Sequence, residues 1–97
     1  MLPPKGSEPR TRERRMSHFV YVIKSSQNVG DRTYVGWTTD LERRVKAHNA
    51  GKGAKNTRGR TWELIYAEKY SNRADAMQRE WSLKKDRTFR SRLKQSL

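Results

Sequence analysis

Apolar residues are concentrated in three short runs that have the composition of β-strands. Residues 18–25 contain a nearly continuous apolar segment. In residues 33–37, Thr33, Val35 and Trp37 alternate with Tyr34. Turn-forming residues between these two runs predict a hairpin with a fairly long loop that ends before Thr33. Residues 62–69 are again rich in apolar and aromatic residues and predict a third strand.

A first helix is predicted directly after the second strand. Leu41 and Val45 lie one helical turn apart and predict its buried stripe. Thr39 or Asp40 can cap the N-terminus of this helix, and Gly51 lies just past its end.

A second helix is predicted to begin after Ser71 or Asn72, which can cap it, and to continue to about Lys85. Its apolar arc is expected to contain a carboxylate, Glu80, which is costly to bury unless a cation meets it. Either Lys84, at the i+4 position, or an arginine can supply that cation, or a divalent metal can bind there. The residues expected to form the arc are Ala74, Ala76, Met77, Trp81 and Leu83.

The two ends of the chain differ in character. Residues 1–17 are basic, rich in proline and poor in apolar residues, so we expect a disordered tail before a single folded domain over residues 18–97. The tail is either an arm that follows phosphates or an extension without function, with Met16 as the true start. The basic segment 84–94 is expected to pack as a short helix or tail through Phe89 and Leu93.

Composition narrows the class of protein. Cysteine is absent, and no apolar run approaches the roughly 18 residues of a membrane span or resembles a secretory signal. We therefore expect a cytosolic protein. The 23 basic and 10 acidic residues give a formal charge of +13, which favours nucleic acid as the partner over an anionic membrane or a merely solubilising charge.

The basic residues cluster in one glycine-rich segment. Residues 51–60 contain four cations, three glycines and no acid, which predicts a mobile loop that approaches a phosphodiester or, alternatively, a solvated surface loop. The candidate nucleic-acid-binding residues in this loop and in the second helix are Lys52, Lys55, Arg58, Arg60, Lys84 and Lys85.

A second cluster of chemically active side chains is predicted near the hairpin. Tyr21 and Tyr34 lie on adjacent antiparallel strands, where their hydroxyls can meet. Gly36 allows a close approach by a neighbour or a ligand. Arg44 and His48 lie one turn apart on the first helix and border its buried stripe. The alternative is cross-strand packing beside solvated basic residues.

The order of these residues resembles that of the GIY-YIG nuclease domain, in particular its short single-domain bacterial branch. The first triplet is Phe19-Val20-Tyr21 and the second is Tyr34-Val35-Gly36. The resemblance covers about residues 18–86. The remaining matches are Arg44, His48, Glu80, the loop His-Asn-x-Gly-Lys-Gly-Ala-Lys-x-Thr-Arg-Gly and the helical motif Arg-Glu-x-x-x-Lys-Lys.

The resemblance implies an α+β fold, with a three-stranded antiparallel sheet flanked by helices, and a metal-dependent endonuclease. Glu80 would hold Mg²⁺ or Mn²⁺, and Arg44 would clamp the scissile phosphate. Tyr21, whose pKa would have to be lowered by the metal and neighbouring cations, would be the general base or orient the water. Tyr34 and His48 would position it, and His48 is the competing base. The expected substrate is branched or damaged DNA, cut in repair or recombination in a bacterial cytosol or nucleoid.

One departure from the family pattern keeps other functions open. Trp37 stands where some repair nucleases of this family have a lysine that assists the base. The alternatives are therefore a basic nucleic-acid-binding module with weak or no catalysis, or a domain that docks on an RNA-protein assembly. RNA is not excluded as a ligand, and we expect a monomer that works with a targeting protein.

Overall fold

The computed structural model describes residues 17–27 and 30–95, which form a three-stranded antiparallel sheet with helices on both faces. This α+β architecture confirms the expected fold class. The expected tail, residues 1–17, lies outside the described residues except for Ser17. In chain order the elements are β1 (His18–Gln27), β2 (Gly30–Thr38), α1 (Leu41–Asn49), a 3₁₀ helix (Lys55–Thr57), β3 (Glu63–Tyr70), α2 (Arg73–Lys85) and α3 (Arg87–Gln95).

β1 is the central strand of the sheet, and β2 is an edge strand. The pairing of β1 with β2 continues to Gln27 opposite Gly30, so the expected long hairpin loop before Thr33 is wrong. Arg60 explains why this polar end of the hairpin stays paired. Its guanidinium donates hydrogen bonds to Ser25 Oγ at 3.0 Å and to the Gly30 carbonyl at 2.6 Å.

One face of the sheet packs against α2 and α3. Val20 and Val22 of β1 and Val35 of β2 form a buried cluster with two residues of α2, Ala76 and Leu83. Phe89 and Leu93 of α3 pack against the same cluster, as the sequence predicted. Asn72 caps α2 by accepting a hydrogen bond from the Asp75 amide.

The other face packs against α1. Tyr21, Ile23 and Trp62 form its buried cluster, and the predicted stripe of Leu41 and Val45 lies against them. Asp40 caps α1 by accepting a hydrogen bond from the Arg43 amide. The two tyrosines of the hairpin lie on this face, since the partners in the sheet are Tyr21 with Gly36 and Ile23 with Tyr34.

The end of α1 is tied to the start of β3. The side-chain Nδ2 of Asn49 donates a hydrogen bond to the Trp62 carbonyl at 3.0 Å. The backbone amide of Trp62 donates one to Asn49 Oδ1 at 2.6 Å. The Trp62 indole also donates to the Thr57 carbonyl at 2.8 Å. These bonds fix the last turn of α1 and the following loop relative to the sheet.

The apolar arc expected on α2 is wrong for three of its five residues. Ala76 and Leu83 are buried, but Ala74 is exposed and the exposed fractions of Met77 and Trp81 are 42% and 62%. Trp81 lies about 160° from Leu83 around the helix. Helix α2 therefore has apolar side chains on two opposite sides, and only one side contacts the sheet.

A hydrogen-bond network joins α2 to β3. Glu68 accepts two hydrogen bonds from Arg79, at 2.9 and 3.0 Å, and one each from the hydroxyls of Tyr66 and Tyr70. Burial alone would raise the pKa of Glu68, but the bonds from Arg79 and the two phenols outweigh it and hold the pKa at about 2. The network fixes the rotation of α2 relative to the sheet.

We expect Glu68→Gln to lower the free energy of unfolding by about 2–3 kcal/mol at pH 7. Because the folded-state pKa is depressed, this stability is present above the ordinary value of 4.5 and is lost as pH falls through about 2. Denaturant unfolding at several pH values measures it. Glu42→Gln, which changes an exposed carboxylate paired with Lys46, is the matched control. A loss for Glu68→Gln no larger than for the control would contradict the expectation.

Candidate active site

His48 lies at the centre of a buried hydrogen-bond chain. It is the last buried residue of α1, and its Nε2 atom is 2.8 Å from the Tyr21 hydroxyl. Its Nδ1 atom is 2.8 Å from Thr57 Oγ1, in the 3₁₀ helix of the loop. All three side chains are nearly or completely buried. Strand β1, helix α1 and the basic loop therefore each contribute one member.

The partners of Thr57 determine which nitrogen of His48 carries the proton. The Thr57 hydroxyl uses its single hydrogen to donate a hydrogen bond to the Ala54 carbonyl, at 2.9 Å. It accepts a hydrogen bond from the Ala54 backbone amide at 3.2 Å. It can therefore only accept from His48 Nδ1, which must carry the hydrogen. Nε2 is left as an acceptor, and the Tyr21 hydroxyl donates to it.

Both members of this pair are neutral near pH 7. Burial lowers the pKa of His48, and the charge of Arg44 lowers it further. Burial raises the pKa of Tyr21; the hydrogen bond and charge of Arg44 oppose this, and Tyr34 and Glu80 add to it. Without a bound metal, desolvation of the phenol outweighs the nearby cation, so the lowered pKa expected for Tyr21 from the metal and the cations together stays a prediction.

Arg44 connects this buried pair to solvent. Its Nε atom donates to the Tyr21 hydroxyl and its Nη2 atom donates to the Gly53 carbonyl, each at 3.4 Å. The same side chain lines an open cavity of about 280 Å³ at the start of α1. An anion in this cavity would meet a guanidinium that already touches the phenol oxygen. The cavity is lined by Thr38, Thr39, Asp40, Arg43, Arg44 and Ala47.

Two glycines make room for the buried side chains. A Cβ atom at Gly36 would lie 2.5 Å from the Tyr21 hydroxyl oxygen, so the close approach predicted there is made by a neighbouring side chain. A Cβ atom at Gly53 would overlap the ring of His48. The strand and the loop can therefore hold Tyr21 and His48 in place only because these two positions lack side chains.

The rings of Tyr34 and Tyr21 both contact the imidazole of His48. The ring centroids of Tyr34 and His48 are 5.0 Å apart, and those of Tyr21 and His48 are 5.8 Å apart. Tyr34 also lines an open pocket of about 270 Å³ at the β2 edge of the sheet. This pocket is lined by Thr33, Tyr34, Val35, Asn56, Lys84 and Arg90, which come from both faces of the sheet and from the loop.

Glu80 makes no hydrogen bond to Tyr21 or Tyr34. Helix α2 packs on the opposite face of the sheet, and the Glu80 carboxylate lies 3.3 Å from Lys84 Nζ. Its negative charge is nevertheless one of the causes that raise the pKa of Tyr21. The sequence left Glu80 open between Lys84 and a metal, and without substrate the carboxylate is paired with Lys84. The pocket at the β2 edge, where Lys84 and Tyr34 both lie, is where the two faces meet.

Part of the basic loop packs against the buried side chains of the site. Its 3₁₀ helix buries Thr57, and Gly53 packs on His48, so the loop forms one wall of the site. Sequence reasoning missed both residues, although Thr57 is the only hydroxyl between Gly51 and Arg60. Of the candidate phosphate contacts, Arg60 is half-buried and bonded within the chain. Lys52, Lys55, Arg58, Lys84 and Lys85 are exposed.

The described residues hold neither a cluster of metal-ligating side chains nor a membrane-spanning helix. Residues 17–27 and 30–95 contain no group of three or more His, Cys, Asp or Glu side chains able to hold a metal. A single carboxylate, Glu80, can still suit Mg²⁺ or Mn²⁺, which keep several waters and use substrate phosphates as ligands. None of the helices in the same residues is long and apolar enough to span a bilayer.

The sequence of this chain is similar to those of known proteins. A sequence model of the GIY-YIG catalytic domain matches residues 17–94. The UPF0213 protein YazA of Bacillus subtilis is 50% identical over 70 residues, which is 71% of this chain and 68% of YazA. The UPF0213 protein HQ_3675A of Haloquadratum walsbyi is 47% identical over 68 residues, which is 69% of this chain and 73% of the relative.

A solved structure was also matched. The solution NMR structure of the UPF0213 protein BH0048 from Bacillus halodurans is 38% identical and covers 80% of this chain and 82% of its own, with a TM-score of 0.45. The match to the catalytic domain includes both tyrosines of the hairpin, the arginine and histidine of α1 and the glutamate of α2. The chain therefore belongs to the GIY-YIG nuclease family and groups there with the UPF0213 proteins.

Proposed function

We propose that this protein is a divalent-metal-dependent endonuclease that hydrolyses phosphodiester bonds in DNA. The observation that carries the proposal is the chain from Thr57 through His48 to Tyr21, which ends at the guanidinium of Arg44. A proton acceptor of fixed orientation beside a permanent cation is what in-line attack of water on a phosphate requires.

The proton acceptor works through two side chains. Water attacks phosphorus while its proton passes to the Tyr21 oxygen, and the proton of that hydroxyl passes to His48 Nε2. The bond from phosphorus to the departing sugar oxygen breaks, and that oxygen takes a proton from solvent. A neutral histidine of lowered pKa can accept the proton near pH 7, whereas a phenol of raised pKa is not ionised beforehand.

Arg44 would hold the phosphate. A phosphate in the cavity at the start of α1 can bind the guanidinium on its open side while Arg44 Nε stays near the Tyr21 hydroxyl. A planar guanidinium offers paired donors to phosphoryl oxygens and does not lose its charge. This places the phosphorus next to the oxygen that receives the proton of water.

Glu80 would hold Mg²⁺ or Mn²⁺, together with oxygens of the substrate. When bound, such an ion stabilises negative charge on the phosphoryl and leaving oxygens. Lys84 must then leave Glu80, and its exposed ammonium can pair with a neighbouring phosphate instead. This exchange would couple occupation of the site to the arrival of the DNA backbone.

The exposed cations would guide the DNA strand to the site. Lys52, Lys55 and Arg58 lie on the loop beside His48, and Lys84 and Lys85 lie at the end of α2. With a formal charge of +13, the protein should bind nucleic acid with a steep dependence on salt. We propose that it acts on branched or damaged DNA in the cytosol, as a monomer that a partner protein directs to its target.

Replacing Thr57 with valine is expected to slow cleavage by about 10- to 100-fold, part of the 10²–10⁴ that a positioned acid or base contributes. Valine keeps the shape but removes the acceptor that holds the proton on His48 Nδ1. The measurement is the nicking rate, together with the ¹⁵N shifts of the imidazole, which report the tautomer. Thr57→Ser keeps the hydroxyl and should restore both. An unchanged tautomer in Thr57→Val would contradict the assigned role.

The function itself is tested by incubating the protein with supercoiled plasmid and with a four-way DNA junction. We expect cleavage with Mg²⁺ or Mn²⁺ and none with EDTA. Binding without cleavage across these substrates and metals would instead support an inactive binding module. Trp37 is the feature that favours that outcome, because it packs on the core beneath Arg73 and no lysine occupies its place.

A further inference from the structure

Trp81 is the most exposed large apolar side chain of the described residues, with 62% of its surface accessible. It lies on the side of α2 that faces away from the sheet, so it adds nothing to the core. Lys85, one turn further, places its Nζ atom 3.9 Å from the centroid of the indole ring. Met77, one turn earlier, is also exposed.

We propose that Trp81 is a stacking platform for an unpaired base of the nucleic acid substrate, with Lys85 binding the phosphate of the same or the next nucleotide. This inference rests on the proposed function and deepens it, because it names the substrate class. The substrate would be a strand with at least one unpaired base near the bond to be cut.

The chemistry of the surface favours a nucleotide as the occupant. A nucleotide combines a flat aromatic ring with negative charge, and this surface combines an accessible indole with an ammonium above it. No carboxylate of α2 lies within about 90° of Trp81 around the helix, since Asp75 is about 120° and Glu80 about 100° away. The neighbouring cation, Lys84, is exposed but paired with the Glu80 carboxylate at 3.3 Å, so Lys85 supplies the charge beside the indole.

The position of Trp81 links the platform to the proposed reaction. Trp81 follows Glu80 directly in the chain, and the two side chains leave α2 about 100° apart. A base that stacks on the indole therefore belongs to a nucleotide close to the phosphate that Glu80 would serve. A continuous duplex keeps its bases stacked inside, so only an unpaired or displaced base can reach the ring.

An anionic membrane fits this surface less well. Membrane-surface helices present a broad face of bulky apolar residues, whereas this side of α2 offers only Met77 and Trp81 as large apolar side chains. The remaining residues within about 90° of Trp81 are small, polar or cationic, namely Arg73, Ala74, Gln78, Lys84 and Lys85.

The test compares binding of two labelled single strands of about 12 nucleotides, one of thymidine and one abasic throughout, in EDTA so that nothing is cut. We expect wild type to bind the thymidine strand at least about fivefold more tightly, given the usual value of stacking one base on an aromatic residue. Trp81→Ala should abolish this difference, and Trp81→Phe should keep part of it. Leu64→Ala, which removes an exposed apolar side chain from β3, should leave it unchanged.

Three results would overturn the platform. The first is equal binding of the two strands by wild type. The second is an equal loss of affinity for both strands in Trp81→Ala. The third is Trp81-dependent binding of anionic vesicles with no preference for bases. Plasmid nicking by the same proteins separates this inference from the proposed function. Nicking without base preference overturns only the platform, whereas base preference lost in Trp81→Ala supports it even if no plasmid is cut.

Discussion

Tyr21→Phe is expected to lower the rate of DNA strand cleavage by about 10²- to 10⁴-fold, the range that a positioned general acid or base contributes. The change removes one oxygen atom, which both receives the proton of water and passes its own proton to His48. Single-turnover cleavage of a labelled junction measures the effect. Because the aromatic ring remains, the core around Ile23 and Trp62 is preserved.

The control for Tyr21→Phe must separate chemistry from stability. Removing the hydroxyl leaves His48 Nε2 buried without its donor, which costs about 1–3 kcal/mol of stability. Tyr66→Phe removes another hydrogen-bonded phenol hydroxyl, one that serves Glu68 in the network joining α2 to β3. It should lose comparable stability and retain cleavage. If Tyr21→Phe cleaves as fast as Tyr66→Phe, the phenol oxygen has no part in the reaction.

Glu80→Ala is expected to slow cleavage by about 10³-fold or more, since a metal ion contributes several kcal/mol of transition-state stabilisation. The substitution removes the carboxylate that would hold the ion. It also frees Lys84, whose ammonium lies 3.3 Å from that carboxylate. DNA binding in EDTA should therefore be unchanged or tighter, and cleavage and binding should move in opposite directions.

Glu42→Ala is the matched control for Glu80→Ala, because Glu42 forms the same i,i+4 pair with Lys46 on α1 but is largely exposed. It should cleave DNA at the wild-type rate. Weaker DNA binding by Glu80→Ala would show that the carboxylate supports the structure of α2 rather than a metal. Full cleavage by Glu80→Ala would exclude the metal role.

The fold was largely readable from the sequence because each element carries its own local signal. The continuous apolar run of β1 reflects burial on both faces of the sheet, the alternation in β2 separates the side chains that meet each face, and the i,i+4 pair Leu41 and Val45 reflects burial on one side of α1. Helical spacing alone brought Arg44 and His48 to one side of α1. The conformation of Gly51, with a φ angle of +78°, matches its predicted place after that helix.

Helix α2 was read incorrectly because composition does not reveal which of two apolar sides meets the sheet. Ala76 and Leu83 lie on one side, and Met77 and Trp81 lie on the other. Glu68 determines the choice through its bonds to Arg79, a pairing between residues that are 11 positions apart. Such a contact depends on the register of β3 against the helix and leaves no periodic signal.

The loop residues of the site were missed for a related reason. Glycine, lysine and arginine are typical of solvated loops, and nothing in their order indicates that Thr57 turns inward to accept a hydrogen bond from His48. The effect of burial on protonation also leaves no signal in the sequence. Without a metal, desolvation raises the pKa of Tyr21 despite the cation beside it.

The most direct test of the proposed proton relay is parallel cleavage of one labelled DNA junction by wild type, Tyr21→Phe and Tyr66→Phe, with Mn²⁺ present and with EDTA. We expect wild type and Tyr66→Phe to cut the strand only with the metal and Tyr21→Phe to leave it intact. Uncut DNA with wild-type protein, or equal cutting by Tyr21→Phe, would contradict hydrolysis through Tyr21 and His48.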